Sequence, residues 1–314
     1  MRITVAHHNP ASCQRWRDAL ARELPDAEVD IWGGGRAGSA DYAIAWAAPG
    51  QEFFEQNNRL KAFFCTGAGV EKLLSSPVMP TSIPVIRLED AGMGTQMADY
   101  CAYAVLHWMR RRSEYDDQQR ARVWKQLLPA SDSADWPIGV FGMGVLGLQV
   151  ANAFRALGFP VNGFARSAHE HPGIRSYAEQ GGAGDFAQFM RASRVLVIIA
   201  PLTAATQDRF NLETLVLLPP SAYVINVARG GLLVEEALIE LLDRGHLAGA
   251  ALDVFRQEPL PPHNPLWSHP KVRVTPHVSA ITVIGPSARQ VAEKVRLLER
   301  GEQVSGVVDR ARGY

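Results

Sequence analysis

Three side chains in the second half of the sequence, Arg229, Glu258 and His277, are of the types that can handle a carbonyl group beside a carboxylate. An arginine holds carboxylate or carbonyl oxygens through its planar fork of N–H donors. A histidine exchanges a proton near neutral pH, and a carboxylate hydrogen-bonded to its other ring nitrogen favours the charged imidazolium. Because each residue alone is more often a solvated or structural side chain, a shared site requires that the chain bring the three together.

One of these candidates follows each of three strand-like apolar runs, at residues 222–227, 249–255 and 272–275. A fourth run, 195–200, ends at Pro201-Leu202-Thr203, where we expect a loop that lies over a bound cofactor. In an open α/β sheet, ligands bind at the carboxyl ends of the strands. We therefore expect the three candidates and this loop to lie along one edge of a sheet.

A glycine-rich turn lies between the apolar run 138–141 and an alanine-rich amphipathic segment that reaches residue 156. Strand, glycine turn and helix in this order are typical of a dinucleotide-binding site, where free N–H groups at the helix start face the pyrophosphate. The predicted cofactor-binding residues of the turn are Gly142, Met143, Gly144, Val145, Leu146 and Gly147. Hydride from a nicotinamide and a proton from a histidine are what the reduction of a 2-keto acid requires.

The residues after the next predicted strand, 161–165, indicate which nicotinamide cofactor binds. Folds that prefer NAD usually carry an acidic residue about 20 residues past the glycines, where it binds the ribose 2′-hydroxyl. This sequence has Arg166 and Ser167 there instead. Their guanidinium and hydroxyl groups could donate to an adenosine 2′-phosphate, and no carboxylate repels it. We therefore predict NADPH as the preferred cofactor, with NADH still accepted.

The composition favours small-molecule chemistry in a reducing compartment. Lys plus Arg and Asp plus Glu both number 32, so the formal charge is zero and no bulk attraction to nucleic acid or an anionic membrane is expected. The three cysteines lie far apart and are predicted to be buried thiols. No apolar run reaches the roughly 18 residues of a membrane span, and the first ten residues are predicted as a strand rather than a signal peptide. We expect a cytoplasmic protein.

Four histidines outside the candidate site do not indicate a metal centre, because no convergent set of ligands accompanies them. They are predicted to lie in surface loops. These histidines are His7, His8, His169 and His171.

The first 90 residues alternate strand-like and helix-like segments, which predicts a small α/β unit with a mostly parallel sheet. The turn at 66–70 follows a strand and opens a helix, so it presents backbone N–H groups, although an ordinary turn is the simpler interpretation of this stretch alone. An apolar stripe at helical spacing then predicts a long helix over 95–112. The polar stretch 113–135 is predicted as a surface excursion, and either segment could serve a subunit interface.

Four motifs occur in the order and spacing of the D-isomer-specific 2-hydroxyacid dehydrogenase family, which the chain resembles over nearly its whole length. They are Gly142-x-Gly144-x-x-Gly147, Asn226-Val-Ala-Arg229-Gly-Gly, Leu252-Asp253-Val-Phe-x-x-Glu258-Pro-Leu and Thr275-Pro-His277. Within that family the chain looks most like the glyoxylate/hydroxypyruvate reductases, through the segments 87–97, 277–282 and 308–314.

The resemblance implies an α/β fold of two Rossmann-like parallel-sheet domains with a cleft between them. A flavodoxin-like substrate domain would comprise residues 1–94 and 287–314, and a dinucleotide-binding domain residues 95–286. The implied reaction is NADPH-dependent reduction of small 2-keto acids, glyoxylate to glycolate and hydroxypyruvate to D-glycerate. The family also leads us to expect a homodimer.

The resemblance further implies a role for each candidate residue. Arg229 would bind the substrate, His277 would be the general acid/base, and Glu258 would be its partner. Additional substrate-binding residues would be Trp46, Ala68, Gly69 and Arg87, and additional cofactor-binding residues would be Val227, Ala228 and Asp253.

The sequence departs from the family pattern in two places. Many relatives have Asp where this chain has Glu71, a change that we expect to affect helix capping only. Many also have Gly-Gly where this chain has Ser279-Ala280, which could reshape the pocket and leaves the substrate open. One alternative is therefore a reductase of a bulkier 2-keto acid on the same scaffold. Another is a non-catalytic nucleotide-sensing protein, against which the complete Arg229, Glu258 and His277 set and the absence of a basic patch both count.

Overall fold

The structure is a computed structural model that describes residues 1–7, 9–34, 39–67, 69–128 and 132–313. The elements up to residue 93 are β1 (Arg2–Val5), α1 (Pro10–Glu23), β2 (Glu28–Ile31), β3 (Tyr42–Ala45), α2 (Gln51–Gln56), β4 (Ala62–Cys65), α3 (Glu71–Leu74) and β5 (Val85–Arg87). There follow α4 (Met93–Met109), α5 (Arg112–Ala121), β6 (Ile138–Phe141), α6 (Val145–Ala156), β7 (Val161–Ala165), β8 (Arg175–Ala178), α7 (Ala183–Arg191), β9 (Val195–Ile198), α8 (Leu212–Leu215), β10 (Ala222–Asn226), α9 (Glu235–Asp243), β11 (Leu247–Leu252), β12 (Val272–Val274) and α10 (Ile284–Glu299).

The chain divides into two compact units. The first unit comprises Met1–Met93 and Thr282–Tyr314, and the second comprises Gly94–Ile281. The chain therefore leaves the first unit for its middle section and returns to it with α10.

The sheet of the first unit has five parallel strands in the order β2-β1-β3-β4-β5. β3 and β4 are buried along their whole length, as is usual for parallel strands that helices cover on both faces. Helix α1 begins where Asn9 caps it, because the Asn9 side chain accepts from the backbone N–H groups of Ala11 and Ser12. Pro10 follows at the first helical position, where a missing N–H costs nothing.

The sheet of the second unit has seven parallel strands in the order β12-β11-β10-β9-β6-β7-β8. From β6 the chain adds β7 and β8 on one side, and then returns to add β9 to β12 on the other side. The strand order therefore reverses between β6 and β9, and ligands of open α/β sheets bind outside the carboxyl ends of the strands at such a switch point. The two parallel sheets with their helices confirm the predicted α/β fold class.

Apolar clusters hold the sheet of the second unit in place. One cluster contains Phe141 of β6 and Phe164 of β7, whose rings stack with centroids 5.2 Å apart. Another contains Cys101 and Val105 of α4, packed with residues of β6, α6 and β9. The described cysteines, Cys13, Cys65 and Cys101, are buried free thiols as predicted, and burial raises the pKa of the Cys101 thiol.

The structure differs from the sequence prediction at the polar stretch that follows α4. The predicted helix over 95–112 runs instead from Met93 to Met109, and the stretch assigned to a surface excursion contains α5. None of the residues of α5 is buried, so it has no apolar stripe that would reveal a helix. Ion pairs at helical spacing accompany it: Arg111 with Glu114 at 3.0 Å, Arg112 with Asp116 at 2.8 Å, and Arg120 with Asp117 at 2.5 Å.

Candidate active site

The turn after β10 carries Arg229 and is shaped by a buried asparagine. Asn226 is fully buried; its Nδ2 donates to the Arg229 carbonyl at 3.0 Å, and its Oδ1 accepts from the Ala228 N–H at 3.1 Å. Arg229 Nη1 donates to the Ala228 carbonyl at 2.6 Å. The predicted cofactor-binding residues Val227 and Ala228 are therefore buried in a turn whose backbone shape is fixed by side-chain hydrogen bonds.

Gly230 brings this turn against the segment that carries Glu258. A methyl group at Gly230 would overlap the backbone of Phe255 and Arg256, so only a glycine allows the two segments to approach this closely. The carboxyl ends of β10 and β11 are thereby joined at the edge of the sheet where Arg229 and Glu258 were predicted to meet.

His277 and Glu258 form a hydrogen-bonded pair. His277 Nδ1 lies 2.8 Å from Glu258 Oε2, and Glu258 Oε1 accepts from the Phe255 N–H at 3.0 Å. An ionised carboxylate only accepts hydrogen bonds, so Nδ1 is the donor in the pair. The side chains are 42% and 33% exposed, and the second ring nitrogen, Nε2, is the one that remains for a ligand.

Asp253 lies beneath the turn that carries His277. It is fully buried, and its carboxylate accepts from Thr275 Oγ1 at 2.6 Å, from the Val278 N–H at 2.8 Å and from the Ser279 N–H at 2.7 Å. Ser279 is itself buried, so this departure from the family pattern belongs to the support of the turn. The predicted contact of Asp253 with the nicotinamide carboxamide remains a prediction.

The glycine turn after β6 has the shape that a bound dinucleotide needs. Gly142 has a φ of +114°, and a methyl group there would lie 2.7 Å from the Ala200 backbone nitrogen. A methyl group at Gly147 would overlap the Gly142 carbonyl, so this glycine lets α6 pack on the strand. Gly144 differs from both, because a methyl group there would meet no atom within 4 Å. The space above Gly144 is open, as the close approach of a pyrophosphate requires.

The start of α6 suits an anion. Gly144 is the N-cap and provides no side chain to satisfy the first N–H groups of the helix. Val145 is 50% exposed and Leu146 is half-buried. The Met143 side chain packs towards Gly163 of β7, where a methyl group would lie 2.8 Å from its Sδ. The turn from Met143 to Leu146 therefore has backbone donors, rather than charged side chains, to face a phosphate.

Arg166 and Ser167 directly follow β7, the neighbour of β6. The Gly142 N–H donates to the Phe164 carbonyl at 2.9 Å, which sets the glycine turn beside the end of β7. Arg166 is exposed and Ser167 is half-buried. Both residues thus lie at the carboxyl edge, on the β7 side of the switch point, as the cofactor prediction requires.

The loop at 201–203 follows β9 on the other side of the switch point. Thr206 shapes this loop, because its Oγ1 accepts from the Thr203 N–H at 2.8 Å and donates to the Pro201 carbonyl at 2.7 Å. The Leu202 side chain reaches the turn after β10, where a methyl group at Gly231 would lie 2.9 Å from it. The loops after β9 and β10 are therefore in contact.

In the first unit, the predicted substrate-side residues follow three neighbouring strands. Trp46 follows β3, Gly69 lies in the turn after β4, and Arg87 ends β5, where it is paired in register with Cys65. Trp46 is 42% exposed, while Ala68 lies outside the described residues. The substrate-side candidates of this unit therefore share the carboxyl edge of one sheet.

Several residues that organise these sites were not singled out from the sequence. Lys72 Nζ lies 5.1 Å from the centroid of the Trp46 ring. Lys294 is only 6% exposed, and its Nζ lies 2.9 Å from Oε2 of Glu89. Glu89 is two residues after Arg87 in the chain. In the second unit, α4 supplies Gln96 and Tyr100 to the His277 segment, through the contacts Gln96 Nε2 to the Ile281 carbonyl at 2.9 Å and Tyr100 Oη to Thr275 Oγ1 at 2.7 Å. The four-residue spacing of Gln96 and Tyr100 on a predicted helix was the available signal.

Membrane-spanning helices and metal-binding clusters are both absent from the described part of the chain. None of its helices is long and apolar enough to cross a membrane. Nor do its His, Cys, Asp and Glu side chains form a cluster of three or more that could hold a metal ion.

A doubly wound sheet, a glycine turn at its switch point and a histidine–carboxylate pair on the same edge define a dinucleotide-dependent oxidoreductase. Residues 102–279 match the family described as D-isomer specific 2-hydroxyacid dehydrogenase, NAD binding domain. The chain is 42% identical over 315 residues to a glyoxylate/hydroxypyruvate reductase A from Klebsiella pneumoniae, covering 99% of each protein. It therefore belongs to the D-isomer specific 2-hydroxyacid dehydrogenase family, as its motifs predicted.

Solved structures of the family agree with this assignment. A D-isomer specific 2-hydroxyacid dehydrogenase from Xanthobacter autotrophicus Py2, in complex with NADPH and MES, is 35% identical with a TM-score of 0.91 and covers 99% of both chains. An NADPH-dependent glyoxylate/hydroxypyruvate reductase from Sinorhizobium meliloti, in complex with NADP and sulfate, is 31% identical with a TM-score of 0.90. That match covers 100% of this chain and 99% of the other. The similarity thus extends over both units.

Proposed function

We propose that this enzyme reduces small 2-keto acids with NADPH, converting glyoxylate to glycolate and hydroxypyruvate to D-glycerate. The observation that carries the proposal is the 2.8 Å pair of His277 Nδ1 and Glu258 Oε2, at the sheet edge that also bears the glycine turn. The similarity to the Klebsiella and Sinorhizobium reductases supports the choice of these two acids.

In this mechanism each residue of the site has one task. When bound, the reduced nicotinamide supplies the hydride that adds to the carbonyl carbon of the keto acid. His277 donates the Nε2 proton to the carbonyl oxygen, so the C=O bond becomes a C–OH bond and the histidine becomes neutral. Glu258 accepts from Nδ1, which orients the ring and stabilises the imidazolium before transfer. Arg229 binds the carboxylate and the carbonyl oxygen through its donor fork.

Four residues of the first unit are further candidates for substrate binding. We assign Arg87 and the turn residues Ala68 and Gly69 to the substrate carboxylate, and Trp46 to the apolar side of a small acid. Support comes from the positions of Trp46, Gly69 and Arg87 at the carboxyl ends of β3, β4 and β5, and from the 42% exposure of Trp46, which is high for a tryptophan.

The cofactor assignment to NADPH has two supports. Arg166 and Ser167 stand at the end of β7 where NAD-preferring folds carry an acidic residue. Structures of relatives were solved in complex with NADPH and with NADP. The described residues at the start of α6 fit the pyrophosphate because Gly144 leaves open space beside uncapped N–H groups.

We also propose that the enzyme is a homodimer. Large apolar side chains of α4 and of the segment after α5 face solvent in the single chain, and such patches usually mark interfaces. They are Tyr103 at 68% exposure, Val123 at 49%, Trp124 at 101% and Leu128 at 72%. Sedimentation equilibrium at micromolar concentration should give twice the chain mass of 34.4 kDa.

The experiment that tests the function measures loss of nicotinamide absorbance with glyoxylate or hydroxypyruvate, using NADPH and NADH in parallel. We expect rapid NADPH-dependent turnover of both acids. His277→Ala should lower kcat by about 10²–10⁴-fold, the usual contribution of a general acid, while NADPH still binds. Turnover of neither acid by the wild-type enzyme with bound cofactor would favour a bulkier 2-keto acid.

The matched control is a second histidine–carboxylate pair, that of His269 and Asp243, which lies at the start of β12 rather than at its end. His269 Nε2 lies 3.3 Å from Asp243 Oδ1, but His269 precedes β12 and so lies at the opposite edge of the sheet from His277. His269→Gln should retain kcat. Near-normal turnover in His277→Ala would remove His277 from the mechanism.

A further inference from the structure

The backbone of His277 adopts a conformation that is uncommon outside glycine. Its φ is +57°, in the left-handed region that non-glycine residues seldom occupy. The His277 N–H donates to the Asp253 carbonyl at 2.8 Å and approaches the Thr275 carbonyl at 3.1 Å. Such conformations persist only where the surroundings over-determine them, so the elements around the turn must supply the constraint.

One constraint on the turn comes from Asp253. The buried Asp253 carboxylate accepts hydrogen bonds from Thr275 Oγ1 and from the Val278 and Ser279 N–H groups, that is, from residues on both sides of His277. A carboxylate that bridges both sides of a turn fixes its curvature. The hydrogen bonds of Asp253 do not, however, extend beyond Ser279.

A second constraint comes from α4 and acts on both ends of the segment. Tyr100 Oη lies 2.7 Å from Thr275 Oγ1, two residues before His277. Four residues after His277, Gln96 Nε2 donates to the Ile281 carbonyl at 2.9 Å and Gln96 Oε1 accepts from the Ile281 N–H at 3.1 Å. Gln96 and Tyr100 are four residues apart, so they occupy one face of the helix.

The direction of the hydrogen bonds follows from counting protons. The single hydroxyl proton of Thr275 goes to the Asp253 carboxylate, which can only accept. Tyr100 must therefore donate to Thr275 Oγ1. Burial raises the pKa of Tyr100 to about 12, so the phenol keeps its proton under working conditions. The order of donation is Tyr100 to Thr275 to Asp253.

We propose that Gln96 and Tyr100 are positioning residues for His277: α4 clamps the segment from Thr275 to Ile281 at its two ends and so aims the imidazole. The inference deepens the proposed function and rests on His277 being the general acid. Gln96 acts through the backbone of Ile281, and Tyr100 acts through the side chain of Thr275. Their loss should therefore lower the rate of proton donation and leave cofactor binding intact.

The first test is Tyr100→Phe, which removes one oxygen, with Tyr103→Phe as the matched control on the same helix. Tyr103 is 68% exposed, whereas Tyr100 is half-buried. Misplacing a catalytic group by 1 Å can cost about 10²-fold, so the loss of one of several constraints should lower kcat roughly 10-fold. The KM for the keto acid, the Kd for NADPH and the thermal midpoint should change little. An unchanged kcat in Tyr100→Phe would overturn the role of Tyr100.

Conservative variants separate positioning from folding. Thr275→Ser keeps the hydroxyl and should restore most of the kcat that Thr275→Val loses. Gln96→Leu should lower kcat as Tyr100→Phe does, whereas Gln119→Leu on the exposed face of α5 should not. Equal losses in Thr275→Ser and Thr275→Val would contradict the hydrogen-bond chain.

A double-mutant cycle tests whether Tyr100 acts through His277. If it does, adding Tyr100→Phe to His277→Ala should cause no further loss of kcat, because residues that act as a unit are not additive. A full additional 10-fold loss in the double variant would show that Tyr100 acts elsewhere and would overturn the proposal.

An activity-independent readout keeps failure of this proposal distinct from failure of the proposed function. In protein with ¹⁵N-labelled histidine, the ring signals of His277 are identified by their absence in His277→Ala. Tyr100→Phe and Gln96→Leu should shift these signals, and Tyr103→Phe and Gln119→Leu should not. Shifted signals in an enzyme that reduces neither acid would reject the function and retain the positioning. Unshifted signals in an active enzyme would reject the positioning alone.

Discussion

The chemistry that we assign to His277 depends on which ring nitrogen holds a proton and where the other points. Glu258 occupies Nδ1, so protons can be exchanged only at Nε2. A carboxylate partner also fixes the ring plane, because the other oxygen of that carboxylate, Glu258 Oε1, is itself held by the Phe255 N–H. One acidic side chain therefore sets the tautomer and the orientation of the proton donor.

At the same scale, Arg166→Ala tests the choice of cofactor. Hydrogen bonds to charged groups contribute about 1.5–3 kcal/mol, so loss of the 2′-phosphate contact should raise the KM for NADPH roughly 10- to 100-fold. The KM for NADH, which lacks that phosphate, should stay within a few-fold. Steady-state kinetics with both cofactors measures the difference.

Arg191→Ala provides the control for the lost charge. Arg191 is exposed and ends α7, just before the amino end of β9, so it lies at the edge of the sheet away from the cofactor site. It should leave both KM values unchanged. Equal increases for NADPH and NADH in Arg166→Ala would show that Arg166 does not read the 2′-phosphate.

At the scale of elements, the buried parallel strands were predictable because each is a continuous apolar run, and their carboxyl ends then located Arg229, Glu258 and His277. Helix α5 and the edge strand β8 were not predictable in the same way, because α5 buries no residue and half of β8 is exposed. The hydrogen bonds that support the His277 turn could not be predicted from the sequence either. Tyr100 and Thr275 are separated by 175 positions, and a hydrogen bond across that distance leaves no local pattern.

Helix α6 and its glycine turn allow a prediction that separates folding from binding. Gly144→Ala places a methyl group in open space, so thermal stability should change little. The methyl would occupy the path of a pyrophosphate, so the affinities for NADPH and NADH should fall together, by roughly 10-fold or more. Isothermal titration calorimetry with both cofactors tests the expected loss of affinity, and a thermal melt tests the expected stability.

Two other glycines, one on α6 and one on α7, serve as comparisons for Gly144→Ala. Gly147→Ala should destabilise the protein, because its methyl would overlap the Gly142 carbonyl. Gly184→Ala on α7, where a methyl also meets open space, should leave both stability and cofactor affinity unaffected or slightly raise stability. Unchanged cofactor binding in Gly144→Ala would contradict the assignment of the turn.

At the scale of the whole molecule, the two chain segments that form the first unit meet around Arg87. Helix α10 supplies Gln290, whose side chain bonds the Glu89 N–H at 2.8 Å and the Glu89 carbonyl at 2.7 Å. It also supplies Lys294, whose Nζ lies 2.9 Å from Glu89 Oε2. The Arg87 N–H donates to the Gly306 carbonyl at 2.9 Å. The last segment of the chain thus holds the backbone of a proposed substrate-binding residue.

Glu89→Gln tests this support through its pH dependence. Burial by itself would raise the pKa of Glu89, but hydrogen bonds from Ser305 and Lys294 outweigh burial and hold the pKa below its ordinary value of 4.5. The stabilisation is therefore full above pH 4.5 and is lost as the pH falls through the lowered folded value. The variant should weaken the first unit by roughly 1–3 kcal/mol at pH 7 and by progressively less below pH 4.5.

Hydrogen exchange of the α10 amides across this pH range measures the effect. Glu302→Gln is the control, because Glu302 pairs with Arg300 at the surface and is 50% exposed, and such pairs contribute little. A difference between wild type and Glu89→Gln that stays constant from neutral to acidic pH would contradict the role of the ionised carboxylate.

The return of the chain to its first unit also has a consequence for synthesis on the ribosome. All seven strands of the second sheet have emerged once residue 281 has left the exit tunnel, so that unit can fold while translation continues. The first unit cannot fold at that stage, because α10 follows residue 281 in the chain. Helix α10 contributes the buried residues Ala288, Val291, Ala292 and Val295. The nascent chain therefore carries a folded second unit and an incomplete first unit, whose uncovered apolar face is the part that chaperones would meet.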